Sequence, residues 1–69
     1  MTNRFTAIVH KEEDLFVAEC PEIGTASQGY SVDEAISNLK EATELYLEEV
    51  KFTPSRQAII TSFEAAVNA

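Results

Sequence analysis

The chain has one histidine, His10, and one cysteine, Cys20. A Cys–His pair can do nucleophilic chemistry when the imidazole draws off the thiol proton and a third group orients the ring. These two lie near opposite ends of adjacent apolar segments, and nothing in the spacing forces them together. A half-buried strand histidine and a small core cysteine account for both. Zinc needs more N and S ligands than this. Carboxylates are the abundant groups, twelve in all, and paired carboxylates can bind Mg²⁺ or act as acid and base. Glu41, Glu44 and Glu48 stand out because their i, i+3, i+7 spacing places them along one side of a helix. Such a row is either a solvated face or a dock for Lys and Arg of a partner; Lys40 offsets some of its like-charge crowding. Glu12, Glu13 and Asp14 invite the same two readings. Gly24 and Gly29 make no phosphate loop, since no Lys-Ser/Thr follows and the next helix opens with acidic residues. No set of residues assembles an active site. The expectation is a non-catalytic chain that needs neither cofactor nor metal.

Twelve acidic against five basic residues give a net charge of −7. That opposes direct nucleic-acid binding, which requires Lys and Arg on phosphates. It suits a positively charged partner, whose encounter complementary fields would speed. It also suits simple solubility. An apolar fraction of 45% with 25% charged residues is that of a folded globular domain. No apolar run nears the roughly 20 residues of a membrane span. The start, Met1-Thr2-Asn3-Arg4-Phe5, has no apolar signal segment, so a cytoplasmic location is expected.

The elements that position these residues follow from periodicity. Arg4 to His10 alternates as a strand, with Phe5, Ala7 and Val9 on one parity and Thr6, Ile8 and His10 on the other. Lys11 to Asp14 is a charged hairpin break, and Leu15 to Cys20 is a second strand paired antiparallel to the first. Pro21 ends it, having no N–H for a ladder. Ile23 to Gln28 reads as a short third strand. Ser31-Val32-Asp33-Glu34 is a capping box, in which Ser31 accepts from the Glu34 N–H while the Glu34 side chain reaches back to the Ser31 N–H. From Val32 to about Glu49 no Gly or Pro interrupts. One stripe holds Val32, Ala35, Ile36, Leu39, Ala42, Thr43, Tyr46, Leu47 and Val50, with Leu45 outside it. Pro54 prevents continuation, and Arg56 to Phe63 predicts a fourth strand.

Residues 1–69 therefore predict a single α+β domain. It has an antiparallel-rich sheet of three to four strands and one amphipathic helix, in the order β-β-β-α-β. One helix covers only one sheet face, yet the strands carry apolar residues of both parities. The uncovered face should expose an apolar patch, which usually marks an interface. Ile8 and Phe16 are the residues expected there, in a homo-oligomer. Size points the same way, because a chain of 69 residues without disulfides has little core of its own.

From Cys20-Pro21-Glu22-Ile23-Gly24 through Ser27-Gln28-Gly29, the sequence resembles the HicB-like antitoxin family. The resemblance continues through Asp33-Glu34-Ala35-Ile36, Asn38-Leu39-Lys40-Glu41-Ala42 and Glu44-Leu45-Tyr46-Leu47-Glu48-Glu49. It spans nearly the whole chain, most strongly Phe16 to Glu49, and the order and spacing of these words carry it. It implies a partial ribonuclease-H-like fold. It also implies a non-catalytic role: covering the active surface of a HicA-like toxin, a small basic mRNA-cleaving protein. Longer members add a C-terminal DNA-binding segment. Here nothing after Phe63 predicts a DNA-reading helix, and Ile23-Gly24-Thr25 replaces the family's Pro-Gly-Cys turn. The expected function is a type II antitoxin that neutralises such a toxin, with Glu41, Glu44 and Glu48 meeting it and with no nucleic acid or membrane bound by this chain alone. The alternative is a solitary homo-oligomeric module of the same fold. A metal-dependent nuclease is a further rival, and it would need carboxylates converging on a metal.

Overall fold

The computed structural model describes residues 3–50 and 59–68. Its elements are β1 (Ile8–Glu12), β2 (Leu15–Cys20), β3 (Thr25–Gly29) and α1 (Val32–Glu49). The three strands form an antiparallel sheet in the order β1-β2-β3, so the α+β class and the β-β-β-α order stand as predicted.

The first hairpin is tighter than its charge pattern suggests. Glu12 pairs with Leu15, which leaves only Glu13 and Asp14 in the turn. Lys11 and Glu12 therefore belong to β1 rather than to a loop, and the strand runs later than the expected Arg4–His10. Glu13 sits at φ +55°, the left-handed value that the first central position of a type II′ turn demands. The second connection spans Pro21 to Gly24. Both Ile23 N–H (3.3 Å) and Gly24 N–H (2.7 Å) donate to the Cys20 carbonyl. Gly24 takes φ +95° there, which only glycine adopts without strain. These residues are consumed by the turn, so β3 begins at Thr25 instead of Ile23.

α1 starts as predicted. Ser31 Oγ accepts from the Glu34 N–H at 3.0 Å. The return bond differs by one residue, for Glu34 Oε1 accepts from the Tyr30 N–H at 2.6 Å. Two polar links then strap the helix to β3: Thr25 and Thr43 hydroxyls meet at 2.7 Å, and Asn38 Nδ2 donates to the Gln28 carbonyl at 2.8 Å. Gly29 lets the two elements meet, because a Cβ there would lie 2.6 Å from the Ala35 nitrogen.

The core is thin. Ala18, Cys20, Ala35 and Leu39 are its buried hydrophobic residues, with Phe5, Val9, Phe16 and Ile23 packed around them. The register sets which residues share a face. Val9 pairs with Ala18, and Ala18 with Ser27, so these lie under the helix beside Phe16 and Cys20. Ile8, His10, Leu15, Val17 and Ala26 take the opposite face. The predicted pairing of Ile8 with Phe16 in one exposed patch is thereby corrected: odd-even alternation put both apolar parities on the strands, but Phe16 is a wall of the core.

Of the fourth strand, residues 56–58 lie outside the described residues. Residues 59–68 form neither strand nor helix and are exposed throughout. The Cα radius of gyration is 14.2 Å, against about 11 Å for a compact chain of this length.

Candidate functional site

Three surfaces come from this scaffold. The first is the outer side of α1. Glu41, Glu44 and Glu48 are all exposed there, as the helical spacing predicted. Leu45 stands among them at 63% exposure, one turn from Glu41 and Glu48. The sequence pattern set Leu45 aside as a residue outside the apolar stripe. Its true signal was that very misfit, a large apolar side chain on an otherwise acidic side. An apolar anchor ringed by charge is the usual composition of a protein-binding spot.

The second surface is a groove of about 460 Å³ between the segment preceding β1 and the side of α1. Phe5, Ala7, Ile36, Leu39 and Leu47 supply its apolar lining, with Lys40 and Glu44 at its helical wall. Glu44 thus joins the groove to the acidic side. One wall is fastened by Glu22. Its Oε1 and Oε2 accept the Thr6 N–H at 3.0 and 3.1 Å, and its Oε2 accepts the Thr6 hydroxyl at 2.7 Å. Burial raises the Glu22 pKa, but the Thr6 hydrogen bonds outweigh it and the carboxyl lies below its ordinary value.

The third surface is the open face of the sheet. Ile8 is 44% exposed there, while Leu15 and Val17 are half-buried. His10 lies on this face with Nε2 3.4 Å from Glu12 Oε1. Cys20 is buried on the other face, so the sheet itself separates the pair considered for nucleophilic chemistry. Burial pushes the Cys20 thiol up, and the Glu22 carboxylate adds to this. Its Sγ donates to Glu22 Oε1 at 3.5 Å. A protonated, buried thiol is a poor nucleophile. Among the described residues, no group of three or more His, Cys, Asp or Glu could hold a metal ion, and no helix is long and apolar enough to cross a membrane.

Fold and surface together define a class: a small acidic α+β domain, an antiparallel meander capped by one helix, with its chemistry-bearing residues scattered and its apolar surface open. Within that class, the chain belongs to the UPF0150 family. It is 38% identical to a UPF0150 protein of Helicobacter pylori, the match covering 87% of this chain and 92% of that protein. It is 32% identical to a UPF0150 protein of Synechocystis, over 80% of this chain and 83% of the relative. No family model matches the chain, and no solved structure matches it significantly.

Proposed function

We propose that this protein acts by binding, as an antitoxin of the HicB-like kind that occludes a small basic RNA-cleaving toxin. The observation that carries the reading is the outer side of α1, where Glu41, Glu44 and Glu48 surround the exposed Leu45. Glutamates steer a basic partner and hold its Lys and Arg at the rim, while Leu45 supplies the desolvated centre. The net charge of −7 reinforces the attraction at long range. The resemblance of the Cys20–Gly29 and Asp33–Glu49 segments to HicB-like antitoxins supplies the partner's class.

The test is affinity capture from the native cell with the full chain as bait, followed by an RNase assay on what co-purifies. A small basic RNase whose cleavage falls as the chain is added supports the reading. Substituting Glu41→Lys, Glu44→Lys and Glu48→Lys together should then release the RNase; unchanged inhibition would exclude this side of the helix. A bait that recovers only itself favours the alternative, a solitary self-associating module, for which the exposed apolar surface speaks.

A further inference from the structure

The described C-terminal segment has a composition unlike the rest of the chain. Ile59, Phe63 and Val67 are 88%, 88% and 87% exposed, and Ile60 is 61% exposed. Residues 59–68 thus carry four large apolar side chains that are mostly exposed. Their exposure is costly, since each such side chain gains about 1.5–3 kcal/mol when fully buried. Ile59, Phe63 and Val67 share one parity, so an extended segment presents all three on one side. Glu64 is the single charge in this stretch, so the segment itself brings little charge to a contact. The groove beside α1 has the complementary character. It is apolar along Ile36, Leu39 and Leu47 and open to solvent, with Ile36 41% exposed on its wall. The small core of the domain leaves both surfaces uncovered at once.

We propose that the groove is the receptor for residues 59–68 of a second copy of this chain, and that two copies exchange these segments reciprocally. The exchange is self-complementary, as a two-fold dimer requires: each copy offers one segment and one groove. The match is one of apolar character, between a largely apolar lining and a segment with a single charge. Two acidic bodies that repel elsewhere can meet through it. The proposal is independent of the antitoxin reading, since it concerns the isolated chain.

Two measurements on the purified full-length protein test it. Sedimentation equilibrium should show a dimer whose dissociation constant does not rise with added salt, as expected for an apolar joint between like charges. An isotope-filtered NOE experiment on a mixture of labelled and unlabelled chains should show cross-peaks between chains. They should link the Phe63 ring to the methyls of Ile36 or Leu47. The double variant Ile59→Asp/Phe63→Asp should raise the dissociation constant by roughly a hundredfold or more. A monomeric wild-type protein would overturn the proposal. So would a dimer undisturbed by the double substitution, or NOEs confined within one chain, which would mean that the segment covers its own groove. Should the variant unfold, the NOE experiment on the unaltered protein still decides.

Discussion

The Thr6 hydroxyl donates to Glu22 Oε2 at 2.7 Å, and this bond ties the segment before β1 to the turn after β2. With the two bonds from the Thr6 amide, it fixes one wall of the groove through a single carboxylate. The Glu22 pKa is depressed on folding from its ordinary value of 4.5. The stabilisation is therefore complete above that value and is lost as pH falls through the lower folded value. Acid titration followed by NMR should show the Thr6 amide losing its protection and its shift in that window, while the α1 amides hold. Glu22→Gln should abolish this transition. An unaltered titration of Thr6 in the variant would show that Glu22 is not the clamp.

Gly29 should resist substitution more than any exposed strand position. An added Cβ meets the Ala35 nitrogen at 2.6 Å and Glu34 carbons at 2.8 and 2.9 Å, and the first of these is helix backbone that cannot swing away. Gly29→Ala is expected to cost roughly 1–3 kcal/mol, as overpacking does, read as a lower urea midpoint. A cost below about 0.5 kcal/mol, the range of neutral surface changes, would mean that α1 does not press on β3 here.

Glu13 offers a gain. Its φ of +55° costs a non-glycine residue about 1 kcal/mol or more, while glycine pays only extra chain entropy. Glu13→Gly should raise stability by about 0.5 kcal/mol and leave the hairpin register intact. Loss of stability, or a shifted β1–β2 register by NMR, would contradict this turn geometry.

Leu45 separates binding from folding. At 63% exposure it adds little to the core, so Leu45→Ser should leave the unfolding midpoint within about 0.5 kcal/mol of the parent. The same change should weaken the complex with a captured basic partner by tenfold or more, as loss of a central apolar anchor does. Undiminished partner affinity would move the binding site off this side of α1.

Much of the scaffold was legible from local chemistry. The capping box at Ser31 and the unbroken stretch to Glu49 gave α1 its observed bounds. Strand boundaries were less legible, because the turn at Glu13–Asp14 rests on a left-handed glutamate that no residue preference announces. Gly24, in turn, drew Ile23 out of β3. The face of each strand residue was the hardest to read. Whether Phe16 or Leu15 looks at the helix depends on register, which periodicity alone leaves open. For the surface, spacing sufficed to expose Glu41, Glu44 and Glu48. The groove did not show, because its walls come from segments far apart in the chain.

β3 reads Thr-Ala-Ser-Gln-Gly, nearly devoid of the branched and aromatic residues that favour strands. Beyond its ladder to β2, it is held through the helix, by Thr25 on Thr43 and Gln28 on Asn38. The β1–β2 hairpin and the capped helix can each begin to form from neighbours in sequence, on microsecond scales. β3 can pair with β2 across the turn at Pro21–Gly24, but its links to Thr43 and Asn38 form only once the helix has landed, so the seating of α1 on β3 is the natural last step of folding. Thr43→Val would then show itself chiefly as faster unfolding, with the refolding rate little changed.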